Sequence, residues 1–315
     1  MLIVLRTDLN LTDLDEPMSQ NTLLPSNYTA VPTESPIASL ATEYLRSDSH
    51  SERAAAESSN PVRSFEPDTT TVWDSPFALV DMPGTIRLAN EIILARKPAY
   101  FVTANLNYLM LVESFPQLVD VNRRAAAVLA DGNPIVIRSR CGANPLPCRV
   151  AGSDLILELA KLSATNGYRI FLLGAAEGVA EAAAAKLVEL NPKLQISGCY
   201  SPPFRPMNAS EHAAMIKMIS SSRTDILLVA FGQPKGELWI YEHLRELNIP
   251  LSIQLGASFD FLAGTSQRAG QVWQKFGLEW MHRMACDPAR LGPRYASNVL
   301  FLIRRIGQDL WNLFR

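Results

Sequence analysis

The fold turns on "RIFLLGAAEGVAEAAAAKLVELNP", Arg169–Pro192. An apolar run ends at Gly174, an alanine-rich helical stretch follows, and Pro192 stands just past its end. This is a strand, a glycine turn and a helix start. The same alternation recurs on both sides. "AYFVTA" (99–104), "AAVLA" (126–130), "LQISGCY" (194–200), "DILLVAFG" (225–232) and "LSIQLG" (251–256) read as strands. "LNYLMLVESF", "SDLILELAKLSATNG", "SEHAAMIKMISSS" and "KGELWIYEHLREL" read as helices, with Ser153 as N-cap and Gly167 as C-terminal stop of the second. Nearly all-apolar strands alternating with helices predict a mainly parallel sheet covered on both faces.

Ligands of such sheets gather at the carboxyl ends of the strands. Thr103 and Asn105, Asp131 and Gly132, Gly174, Gln233 with Lys235, and Asp260 all fall at those ends. In "VLADGNPIV" (128–136), Asp131 has turn chemistry available. It also has the chemistry of a general base that takes a proton from a hydroxyl. The turn after Gly174 opens a helix N-terminus able to hold a diphosphate, though it lacks G-x-G-x-x-G spacing. "FGQPKGE" (231–237) brings together an amide, a cation and an acid: Lys235 suits a phosphate, and Glu237 suits a helix cap or hydroxyls. "GASFDFLAGT" (256–265) sets Asp260 among aromatic residues, as a cap or as a reader of a ligand's donors.

Composition divides the chain in three. Residues 1–70 carry 4 Lys/Arg against 11 Asp/Glu, residues 71–264 carry 17 against 17, and residues 265–315 carry 8 against 3. The first segment, rich in Ser, Thr, Pro and acids, reads as a disordered acidic leader. The second is the catalytic α/β domain, and the third a basic C-terminal appendage. In that appendage Val299, Leu302, Ile303, Ile306, Leu310, Leu313 and Phe314 form a helical stripe, with Arg304, Arg305, Gln308, Asp309 and Asn312 mostly off it. An anionic membrane surface fits this pattern, as does docking on the core or on a second copy. No apolar run is long enough to span a bilayer, no signal peptide is read, and four scattered cysteines suit reduced thiols, so a cytoplasmic location is expected. The neutral body argues against nucleic acid.

"FVTANLNYL", "VLADGNPIV", "RVAGSDL", "RIFLLGAAEGVAEAAAAKL", "GCYSPPF", "DILLVAFGQPKGELWI", "GASFDFLAG" and "GLEWMHRMACDPARL" together resemble the WecG/TagA/CpsF glycosyltransferases, over residues 77–305. The resemblance implies a Rossmann-like α/β domain with a helical C-terminal appendage. It implies inverting, metal-independent transfer from a UDP-sugar donor to a polyprenyl-diphosphate-linked sugar acceptor at the inner face of the cytoplasmic membrane, with no cofactor. It implies Asp131 as base, with Thr103 and Asn105 positioning it and the acceptor. Gly174, Gln233 and Asp260 would lie along the nucleotide, and Arg283 and Arg290 match arginines that close over the site. Arg149, Lys235 and Arg294 extend the positive field, and Glu237 completes the substrate-binding set. The chain departs from the family at Ala104, where proline is frequent, at Gly236, where glutamine is frequent, and at Pro293, where a further arginine is usual beside Arg294. A nucleotide-binding oxidoreductase and a non-catalytic membrane scaffold are the competing readings; a homo-oligomer is compatible with all three.

Overall fold

A computed structural model of the chain describes residues 67–267, 270, 273 and 279–314, without the side chains of His282, Arg283, Arg290 and Leu313. All of the leader before residue 67 therefore lies outside the described residues.

Six strands form one parallel sheet: β3 (Ala99–Ala104), β4 (Ala127–Ala130), β5 (Arg169–Gly174), β6 (Gln195–Tyr200), β7 (Ile226–Ala230) and β8 (Leu251–Gln254). Their order across the sheet is β4-β3-β8-β7-β5-β6. The central strands are buried along their length, whereas the edge strand β6 is mostly half-buried. Uniformly apolar runs are stable only where both faces are covered, and here both are. On one face α1 (Met82–Ala95), α5 (Gly152–Asn166) and α6 (Val179–Leu190) pack Leu88, Ile92, Leu155, Leu159, Ala183 and Leu187 onto the strands. On the other lie α2 (Leu106–Ser114), α3 (Gln117–Arg124), α7 (Ala209–Ser221) and α8 (Lys235–Leu247). The short α4 (Asn133–Ser139) follows β4, and α9 (Ser258–Ala263) follows β8 and rests on α6.

Local chemistry explains most boundaries. Asp81 caps α1 by accepting from Gly84 N at 2.7 Å, with Pro83 in the first turn. Asn208 and Glu211 form a capping box on α7. Gly167 ends α5 in the left-handed conformation, φ 73°. The N-cap expected at Ser153 is corrected: Ser153 lies inside α5, the cap position is Ala151, and the first N–H, that of Gly152, donates to Asp131 Oδ2 at 3.2 Å. A catalytic candidate thus takes the place of a local cap.

Before the sheet stands a hairpin that the sequence pattern does not announce, β1 (Thr69–Val72) and β2 (Ser75–Ala78). Four residues per strand give too little alternation to read. Its two-residue turn has positive φ at both Trp73 (47°) and Asp74 (63°), the primed-turn geometry whose twist matches a hairpin. Tryptophan is costly there, and long-range contacts offset the cost. Trp73 is buried, donates from Nε1 to Asp309 at 3.0 Å, and meets Phe301 edge-on at 6.3 Å.

Both partners come from the appendage, which comprises α10 (Glu279–Cys286) and α11 (Pro288–Leu313). Phe301, Leu291 and Asn298 of α11 are buried. Asp309 takes Arg138 in a two-pronged bridge at 2.5 and 2.8 Å, and its carboxyl is held below the usual range by that guanidinium. Arg304 pairs with Glu113, and Arg305 pairs with Glu113 at 2.6 Å and Asp74 at 2.9 Å. The two arginines read as the basic face of a membrane helix are therefore committed to the protein's own carboxylates. The exposed side of α11 carries a large apolar set, Val299, Leu300, Ile303, Ile306, Leu310 and Trp311, with Phe314 just past its end, interspersed with Gln308 and Asn312. No helix among the described residues is long and apolar enough to cross a membrane.

Candidate active site

The carboxyl ends of β3 and β4 place the first three candidates side by side. Asp131 N donates to Ala104 O at 2.9 Å, tying the residue after β4 to the end of β3. Thr103 is buried and donates to Gln254 O at 3.0 Å, which fixes it against β8. Asn105 caps α2, its Oδ1 accepting from Tyr108 N at 3.0 Å, and its Cα lies beside Gly132. The Asp131 carboxyl is aimed by the Gly152 N–H and raised above its usual pKa, first by burial. Arg149 and the Gly152 N–H pull it back down, while Glu279 and Asp154 push it up. A carboxylate moved toward neutrality in a held orientation is suited to accept a proton.

Arg149 forms an ion pair with Glu279 at 2.8 Å, so the start of α10 reaches the immediate surroundings of Asp131. Glu279 was absent from the sequence candidates, because nothing local links it to a residue 130 positions earlier.

Gln233 is pinned from two sides. Its Nε2 donates to Thr103 O at 3.1 Å, and its Oε1 receives Asn107 Nδ2 at 3.5 Å. Asn107 in turn accepts from Arg294 Nε at 3.0 Å, so the appendage is connected to Gln233 through one amide. Asn107 was also missed, although a second asparagine in the first turn of "NLNYL" was a visible signal. Lys235 is half-buried, lies over the Phe231 ring at 5.5 Å, and has its pKa lowered by burial. Glu237, in the first turn of α8, is 1% exposed, and neither carboxyl oxygen has a hydrogen-bond partner of good geometry. Burial pushes it up to about 8, with its own backbone N–H and the Gln233 amide only partly opposing.

That value has a measurable consequence. The folded protein holds a proton on Glu237 that the unfolded chain, at its ordinary 4.5, releases. Stability contributed by this group is full below 4.5 and is lost as pH rises toward 8. We expect Glu237→Gln to match the parent at pH 5 and to exceed it by about 1–3 kcal/mol at pH 9, read by urea unfolding at both values.

Gly174 has φ 104°, and a β-carbon there would lie 2.8 Å from Ala230 O and 2.9 Å from the Phe231 ring. It allows the ends of β5 and β7 to close on each other, with Ala175 N donating to Ala230 O at 3.0 Å. Glu177 and Glu181 flank the start of α6, so that N-terminus carries its own negative charge. Gly174→Ala should cost about 2–4 kcal/mol in denaturant unfolding, from strain plus overlap.

Asp260 is half-buried on α9 and is engaged by Thr265, whose hydroxyl lies 3.3 Å from both its backbone O and its Oδ1. The α9 start adjoins Asp131: a β-carbon at Gly152 would lie 3.7 Å from Asp131 Oδ2 and 3.8 Å from Ser258 Oγ. The Arg283 and Arg290 side chains lie outside the described residues. The departure at position 236 has a steric cause. A β-carbon there would stand 2.0 Å from Gln254 Oε1, so only glycine fits while Gln254 holds its place.

A parallel α/β sheet with an oriented, buried carboxylate and cationic side chains at its carboxyl edge is the arrangement of a group-transfer enzyme, with Asp131 as the candidate base. Residues 70–314 match the Glycosyl transferase WecG/TagA/CpsF family, and the chain belongs to it: it is a glycosyltransferase. Among its relatives are the N-acetylglucosaminyldiphosphoundecaprenol N-acetyl-beta-D-mannosaminyltransferases of Staphylococcus aureus strains NCTC 8325 / PS 47 and COL. Each is 30% identical over 208 residues, which cover 65% of this chain and 78% of the relative.

Proposed function

We propose that the enzyme moves a hexose or N-acetylhexosamine from a UDP-sugar to a polyprenyl-diphosphate-linked sugar in the building of a cell-surface polysaccharide. Transfer is with inversion and without a metal ion. The observation that carries this reading is Asp131: one carboxyl, pointed by the Gly152 N–H, raised by burial and adjoining Thr103 and Asn105. An inverting transfer needs one base to deprotonate the acceptor hydroxyl as it attacks the anomeric carbon, opposite the departing UDP. Positive charge to offset the leaving diphosphate then comes from side chains: Lys235 and Arg294 are in the described part of the site, Arg283 and Arg290 belong to the same set, and Arg149, paired with Glu279, acts on Asp131 instead. The relatives' names include a diphosphoundecaprenol-linked acceptor, which supports a lipid-borne acceptor here.

We place the enzyme on the inner face of the cytoplasmic membrane, held by the outward apolar stripe of α11 rather than by Arg304 and Arg305. The test is a panel of UDP-sugars offered with a short-chain polyprenyl-diphosphate N-acetylglucosamine, with and without EDTA, product formation read by mass spectrometry and anomeric configuration by NMR. Product with inverted anomeric configuration in EDTA is expected. Loss of product restored by manganese or magnesium overturns the metal-free mechanism, and no product from any donor overturns the substrate assignment.

A further inference from the structure

Gln254 is the last residue of the central strand β8 and is 1% exposed. Its backbone O receives the Thr103 hydroxyl, and its Oε1 accepts from Phe231 N at 3.2 Å. The side chain therefore crosses the first turn of α8, through space that Gly236 leaves open. Its Nε2 is buried and has no hydrogen-bond partner. An unpaired buried amide N–H is costly to leave without an acceptor. It stands at the carboxyl end of the sheet, between the Phe231–Lys235 turn and the loop that leads to Asp260, and a β-carbon at Gly256 would lie 3.8 Å from it. The surrounding protein has arranged room for this amide and supplied an acceptor's partner for only one of its two ends.

We propose that Gln254 is a donor-binding residue: its Nε2 donates to an oxygen of the bound nucleoside-diphosphate sugar, and Gly236 is glycine to admit it. The proposal rests on the UDP-sugar reading above. Phe231, held by the Oε1 end, carries Lys235 over its ring, so one side chain both builds the cationic turn and offers it a donor.

The experiment is calorimetric binding of UDP, with donor and acceptor kinetics, on the full chain. Gln254→Glu keeps an oxygen for Phe231 N and removes the N–H2. We expect at least tenfold weaker UDP binding and a matching rise in donor KM, with acceptor KM unchanged. In the exchange Gly236→Gln with Gln254→Gly, the amide enters the same space from α8, and UDP affinity within threefold of the parent is expected. Gln254→Glu that folds and binds UDP within twofold of the parent overturns the proposal, because a purely structural amide would behave so. Should Gln254→Glu fail to fold, the exchange decides: failure of the exchanged protein to fold or to bind UDP overturns it. Absence of UDP binding by the unaltered protein overturns the donor reading and the proposal together.

Discussion

Asp131→Asn should fold as the parent does and lose transfer by about 10²–10⁴-fold in kcat/KM, the range spanned by a removed general base. The amide is nearly isosteric and can still accept from Gly152 N with its oxygen, so α5 keeps its first hydrogen bond. What is lost is the lone pair that takes the proton. UDP binding should be unchanged within about twofold, which separates this variant from one that disturbs the donor site. A protein with intact UDP binding and undiminished transfer would remove Asp131 from the mechanism. The charge environment gives a second readout. Arg149 favours the ionised form of Asp131, whereas Glu279 disfavours it. Arg149→Gln removes the first and releases the second from its ion pair, and both changes raise the Asp131 pKa. The acid limb of the kcat/KM profile should therefore move to higher pH.

Replacing Ile303, Leu310 and Trp311 together by glutamate should abolish flotation with anionic liposomes, lowering the bound-to-free ratio by at least about a hundredfold. Each of these side chains is exposed, at 62%, 51% and 61%. Burying one in an apolar phase is worth about 1.5–3 kcal/mol, so three of them outweigh the surface attraction of a few lysines or arginines. Arg304→Gln with Arg305→Gln should instead weaken the docking of α11 on Glu113 and Asp74 and leave flotation largely intact. The opposite ranking would return the membrane contact to charge. Because Trp73, Phe301, Arg138 and Asp309 hold the inner side of α11, the glutamate variant should retain the parent's thermal unfolding temperature within about 2 °C.

The parallel sheet was legible because each strand announces itself locally. "RIFLLG" and "AYFVTA" occupy the positions read for them, since uniformly apolar runs of six have no stable place except between two covered faces. The candidate site was legible to the extent that a carboxyl-edge position follows from strand and loop order: Thr103, Asn105 and Asp131 meet because β3 and β4 are neighbours. Gln254 did carry a signal, a long polar side chain at the end of a buried strand, but the space it occupies depended on Gly236, eighteen positions earlier. Ser153 shows the reverse failure. A serine at a helix start is a reasonable cap, yet the helix already begins at Gly152, one residue before it, where the first N–H is bound by Asp131 from the end of β4.

The sequence by itself determined the alternation of strands and helices, the glycine and proline punctuation, the presence of a carboxylate at a strand end and the apolar stripe of α11. These are set by neighbours within a turn or a strand, where periodicity and local hydrogen bonding act. Only the tertiary structure decided which charges are already spent. Arg304 and Arg305 belong to Glu113 and Asp74, Arg149 to Glu279, and Arg138 to Asp309. Pairing across more than a hundred residues leaves no trace in local pattern, because the energy of an ion pair or a buried amide depends on what the fold brings beside it and how much water it removes.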